Sequence, residues 1–107
     1  MAEYQLADIR QAAQKLQIEY RGLRVQRDVA NLGYELQDVA DCICNLTERD
    51  FRKSHFYEDG RLPDDDYICQ YKKTVDGEEH VETLYVKFCF INDHLLIDLG
   101  SFHLPRY

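Results

Sequence analysis

The apolar residues of this chain change their repeat at Pro63. Before it they recur every three or four positions, and after it they alternate. A helix returns a side chain to one face every 3.6 residues and a strand every two, so the change divides the chain into a helical front and a sheet-forming back. In the front, Leu6, Ile9, Ala13 and Leu16 predict one amphipathic helix. Val25, Val29 and Leu32 predict a second, closed by Gly33, and Leu36, Val39, Ile43 and Leu46 a third. Thr47 and Asp50 have the spacing of an N-cap and its N3 partner, which predicts a helical turn over residues 48–54 carrying Arg52 and Lys53.

In the back, strands are expected at 67–74, 80–91 and 94–99, joined by the turn dipeptides Asp76-Gly77 and Asn92-Asp93. A two-residue turn at the first junction sets Ile68 opposite Tyr85, Gln70 opposite Thr83 and Lys72 opposite Val81. The same turn at the second pairs Phe90 with Leu95, Phe88 with Ile97 and Val86 with Leu99 on one wholly apolar face. Cys89–Leu96, Lys87–Asp98 and Tyr85–Gly100 then pair on the other. A one-residue slip would mix the two faces, so the pattern supports its own register. The helices are expected to cover Leu84, Val86, Phe88 and Phe90. Tyr85, Lys87, Gln70 and Lys72 remain on an open face, with Gly100 giving room beside Tyr85. The expected fold is a single α+β domain over residues 1–107, with N-terminal helices packed on one face of a three-stranded antiparallel sheet.

A chain of 107 residues, 45% hydrophobic and 31% charged, can bury one core and is not of disordered composition. No apolar run reaches the ~20 residues of a membrane span. The opening MAEYQLADIR is acidic and polar, unlike a secretory leader, so a cytoplasmic protein without membrane association is expected. The net charge of −7 argues against indiscriminate nucleic-acid binding. It is uneven, however. Residues 1–56 hold 8 Lys/Arg against 9 Asp/Glu, and residues 57–107 hold 5 against 11. The acid excess is assigned to loops at 58–66 and 76–82, which leaves room for a local cationic site.

Cys42, Cys44, Cys69 and Cys89 lack zinc-ligand spacing and sit in apolar surroundings, as reduced structural thiols do. Asp64, Asp65 and Asp66 could offer oxygens to a divalent ion, but consecutive residues of an extended chain point to opposite sides, so a solvated loop is expected.

The order of motifs resembles the MqsR family of bacterial toxins. The matching pieces are Leu32-Gly33, the following helix with Asn45-Leu46, and Asp50-Phe51-Arg52-Lys53-Ser54. Tyr85-Val86-Lys87-Phe88, Ile91-Asn92-Asp93 and Ser101-Phe102-His103 follow in order. The resemblance implies a RelE-like fold, a messenger-RNA interferase of a type II toxin–antitoxin pair, a cognate antitoxin protein as partner, and no cofactor. The family's activity is attributed to a lysine of D-F-x-K-S, a glutamine of W-Q-D-V-Y, the tyrosine of Y-x-K and a lysine after the terminal S-F. These carry over to Lys53 and Tyr85, with His103 in place of the terminal lysine. Asp64 or Asp65 stands where the glutamine would be, and Gln70 is the candidate to replace it.

Metal-independent RNA cleavage uses the neighbouring 2′-hydroxyl as nucleophile. It needs a base, an acid for the leaving oxygen, and cations for the charge that develops at phosphorus. Lys53, Tyr85 and His103 are the candidate catalytic residues, and Arg52, Gln70, Lys72 and Lys87 the candidate RNA contacts. His55 is a further imidazole able to exchange a proton but reads as an ordinary surface histidine. Two other readings remain: a non-catalytic protein-binding or regulatory module of the same fold, and a metal-dependent nuclease using Asp64, Asp65 and Asp66.

Overall fold

Five strands, not three, build the sheet. In the computed structural model, which describes residues 1–106, the chain runs through α1 (Leu6–Gln14), β1 (Ile18–Tyr20), α2 (Leu23–Asn31) and α3 (Leu36–Cys44). A 3-10 turn (Glu48–Asp50) leads into β2 (Phe51–His55), followed by β3 (Asp64–Val75), β4 (Glu78–Ile91) and β5 (Leu96–His103). The strand order is β1-β5-β4-β3-β2, with β1 parallel to β5 and every other pair antiparallel.

The helices cover the expected face. Leu84, Val86, Phe88, Leu99 and Phe102 are fully buried beneath Ile9, Val39, Ile43 and Leu46. Phe88 stacks on Tyr67 at 5.6 Å. Each such side chain contributes about 1.5–3 kcal/mol by leaving water.

Local signals set some element ends and lose to tertiary pairing at others. Gly33, at φ 75°, closes α2 as predicted. α1 stops at Gln14, and Leu16 turns left-handed (φ 57°) and faces solvent instead of extending the apolar stripe. The Thr47/Asp50 cap forms, its backbone N–H donating to Asp50 at 2.9 Å. It opens only one turn, because Phe51 is already extended (φ −65°, ψ 136°) and packs edge-on to Tyr67. Arg52 and Lys53 therefore lie on the edge strand β2, not on a helical turn.

Asp76 and Gly77 both have positive φ (52° and 79°), as a type I′ hairpin demands, and the predicted register of β3 against β4 is the one observed. The second hairpin differs. Residues 92–95 form a four-residue connection in which Leu95 is left-handed (φ 49°), so Ile91 faces Leu96. Phe90 then pairs with Ile97 and Phe88 with Leu99, a shift of two that keeps the paired side chains on their predicted faces, while Leu95, expected opposite Phe90, is left exposed in the connection. A bulge at Gly100 follows, after which Lys87 faces Ser101, Val86 faces Phe102 and Tyr85 faces His103. The expected Lys87–Asp98 and Tyr85–Gly100 pairs do not form. A Cβ on Gly100 would lie 2.6 Å from Nη1 of Arg21, so the glycine makes room for that guanidinium and not for space beside Tyr85.

The acidic loops are also corrected. Asp64, Asp65 and Asp66 open β3 and are 0–1% exposed, and Glu78, Glu79 and Glu82 lie on β4.

Candidate functional site

Burying three consecutive carboxylates costs several kcal/mol each unless every one is paired. Each is paired, with a different set of donors. Asp65 points towards the helices, where the N–H groups of Glu3 (3.1 Å) and Tyr4 (2.9 Å) and the Ser54 hydroxyl donate to it, strapping the N-terminal segment to the sheet. Asp64 points to the open face and receives two N–H groups of Arg21 (3.0 and 2.8 Å) and the Tyr57 hydroxyl (2.6 Å). Arg21 also donates through Nε to Asp98 (3.0 Å). Burial works to raise the Asp64 carboxyl, but the bonds from Arg21 and Tyr57 outweigh it and hold it below the usual range. Among the described residues, no three His, Cys, Asp or Glu side chains gather where an ion could be held. The aspartates alternate in direction and are each committed elsewhere, which counts against the reading that makes them a joint metal site.

Asp66 is the hub of the open face. It accepts bonds from the Tyr85 hydroxyl (2.7 Å), from Nε2 of His55 (2.7 Å) and from the Lys53 backbone N–H (3.1 Å). Burial again opposes its ionisation, and these bonds, His55 first, lower its pKa below the ordinary value. Burial and the neighbouring Asp66 carboxylate push the Tyr85 hydroxyl well above its ordinary pKa, with Arg52 opposing. Tyr85 is therefore a committed donor to Asp66, unsuited to act as a base. On its other side its ring lies 5.3 Å from that of His103, whose Nδ1 is 2.6 Å from the Leu104 carbonyl oxygen. With Nδ1–H donating there, Nε2 is left to exchange a proton.

Arg52 and Lys53 are exposed on β2, and neither side chain has a hydrogen-bond or ion-pair partner among the described residues. Lys87 is half-buried on β4 opposite Asp66. Asp64 is neutralised by Arg21, so the charges left around Tyr85 are three cations and the one carboxylate of Asp66. Gln70 is exposed, diagonally across the β3–β4 pair from Tyr85, within ~7–8 Å on backbone geometry. Lys72 lies four residues beyond Ile68, ~13 Å out along the hairpin, and faces Glu79 at 3.9 Å. Lys53, Tyr85, His103, Arg52 and Lys87 thus share one place, with Gln70 at its margin and Lys72 outside it.

The sequence reading missed His55 and Asp66 as members of this cluster. The alternation of Lys53 and His55 along a strand is the available signal, masked because the Thr47/Asp50 cap predicts a helical turn that runs through Lys53 to Ser54.

Residues 1–103 match the family model described as "Motility quorum-sensing regulator, toxin of MqsA". The chain belongs to the MqsR toxin family. The match takes in every helix and strand and ends at His103, so the three strands that carry Lys53, Tyr85 and His103 all fall within the family's span. No curated protein matches the chain. Among the described residues, no helix is long and apolar enough to cross a membrane.

Proposed function

We propose that this member of the MqsR toxin family is a type II toxin that cuts messenger RNA in the cytoplasm, as a single domain, without a metal ion. Its neutralising partner is a cognate antitoxin of the kind the family description names. The observation that carries the reading is the convergence of His103 with Tyr85, at 5.3 Å between rings, beside the unpaired cations of Arg52 and Lys53 on an open sheet face. An RNA phosphate seated over this face would meet positive charge from Arg52, Lys53 and Lys87. The net −7 of the chain is carried largely elsewhere and does not forbid it.

In this reading Lys53 and Arg52 stabilise the phosphorane charge, an effect worth ~3–4 kcal/mol for a single well-placed donor. His103 transfers a proton through Nε2. Tyr85 holds His103 with its ring and Asp66 with its hydroxyl, and Gln70 contacts the RNA beside it. Lys72 serves as an outlying cation.

Induced expression in a bacterial host tests this. The wild-type chain should arrest growth, co-expression of the antitoxin encoded beside it should relieve the arrest, and Lys53→Ala should abolish it at equal protein level. Because Lys53 is exposed, its truncation should change stability by no more than ~0.5 kcal/mol. Arrest by Lys53→Ala as strong as wild type would remove Lys53 from the mechanism.

A further inference from the structure

The open face holds a second imidazole that the family's pattern does not assign, and its hydrogen bond fixes what it can do. His55 is on β2, its side chain 26% exposed, with Nε2 bound to a carboxylate that is itself 1% exposed. With Nε2–H donating to Asp66, the lone pair of the neutral ring sits on Nδ1. This is the arrangement in which a buried carboxylate selects a histidine tautomer and stabilises the imidazolium formed when the other nitrogen takes a proton.

The Asp66 carboxylate is held in turn by the Tyr85 hydroxyl and the Lys53 N–H, so it cannot swing away. Other charged and titratable groups close to His55 are Lys53 and Arg52 on its own strand, Asp64 opposite it on β3 and already neutralised by Arg21, and Tyr85 on β4. Tyr85 lies between two histidines, touching His103 with its ring and reaching His55 through Asp66.

We propose that His55 is the general base of this site, with Asp66 as its positioning residue and His103 as the complementary acid. The inference rests on the RNA-cleaving reading above. Nδ1 of His55 takes the proton of the 2′-hydroxyl as the 2′-oxygen bonds to phosphorus. His103 gives a proton to the 5′-oxygen as the bond from phosphorus to that oxygen breaks. The products are a 2′,3′-cyclic phosphate and a 5′-hydroxyl, and no other reactant is needed. Positioned groups of this kind contribute ~10²–10⁴-fold each.

The test uses the full chain and an RNA oligonucleotide spanning a site mapped on a long transcript. It is run beside the same oligonucleotide with sulfur replacing the 5′-bridging oxygen at that site. Sulfur leaves without a proton, but the 2′-hydroxyl still needs a base. His55→Ala should slow both substrates by at least ~100-fold, whereas His103→Ala should slow the natural one and recover on the sulfur one. Asp66→Asn should lower kcat and leave KM unchanged. Melting curves confirm that the His55 and His103 variants are folded at the assay temperature.

A His55→Ala chain as fast as wild type overturns the proposal, and recovery of His55→Ala on the sulfur substrate overturns the assignment of base. Failure of the wild-type chain to cut RNA would defeat the underlying reading and this inference together, and is recognised from the unsubstituted arm alone.

Discussion

Gly100→Ala puts the packing of the open face to a quantitative test. The added Cβ would stand 2.6 Å from Nη1 and 2.9 Å from Cζ of Arg21. A free arginine would swing aside at little cost, but this guanidinium is fixed by bonds of 2.8–3.0 Å to Asp64 and Asp98. Clearing the contact requires a retreat of about 1 Å, which carries those bonds beyond hydrogen-bond range. Asp64, with its side chain 1% exposed, would then keep only Tyr57 as a side-chain donor. Breaking a fully buried pair costs ~3–5 kcal/mol. The Arg21 side chain is 33% exposed and water follows it, so about 2–3 kcal/mol is expected here. In an Arg21→Ala background the obstacle is gone, and Gly100→Ala should change stability by less than ~0.5 kcal/mol. Urea unfolding of the four proteins measures the coupling directly. Equal costs of Gly100→Ala in both backgrounds would refute the reasoning, since the glycine would then be required by the backbone of the bulge and not by Arg21.

The two faces of β4 should respond oppositely to truncation. Phe88→Ala, at a fully buried ring stacked on Tyr67, should cost ~3–5 kcal/mol. Tyr85→Phe should cost about 1.5 kcal/mol, because Asp66 keeps two other donors, and should lose much of the cleavage rate. Thermal melts and initial rates decide, and a stable Phe88→Ala beside an unfolded Tyr85→Phe would reverse the faces. In acid, the carboxyls of Asp64 and Asp66 titrate lower in the folded chain than in the unfolded one. Their contribution is therefore intact above the ordinary value of 3.8 and is lost as pH falls below it. Melting of Asp66→Asn should accordingly depend less on pH than wild type between about pH 5 and about pH 2, and an unchanged acid slope there would contradict the burial of that charge.

Much of the frame was legible in the sequence because local chemistry and tertiary packing agreed there. Asp76-Gly77 is a type I′ turn in its own right, so the register of β3 and β4 followed from it, and alternation at Val86, Phe88 and Phe90 assigned the buried face. The second hairpin shows the limit. Nothing in Asn92-Asp93 announces that Leu95 will turn left-handed or that Gly100 will bulge, and only the period of two kept the faces correct.

β1 has three residues and borrows its pairing from β5, almost the whole chain away, so no local pattern could reveal it. β2 was misread because its true cap at Thr47 resembles the start of a longer helix, while the partner that extends Phe51 is Tyr67. A run of acids such as Asp64, Asp65 and Asp66 reads as a solvated loop until its donors are known. Those donors, Arg21, Tyr57, His55, Tyr85 and the N–H groups of Glu3 and Tyr4, come from four separate stretches. Of the candidate site, Lys53, Tyr85 and His103 came from the family resemblance. The link between them, Asp66 with His55, became visible only in three dimensions.

The central claim, cleavage by the 2′-hydroxyl with no metal, is tested most directly by the ends of the products. Purified chain should cut RNA equally well in excess chelator and in magnesium, and mass spectrometry should find 2′,3′-cyclic phosphate on one fragment and 5′-hydroxyl on the other. Activity lost in chelator and restored by magnesium, with 5′-phosphate ends, would contradict it.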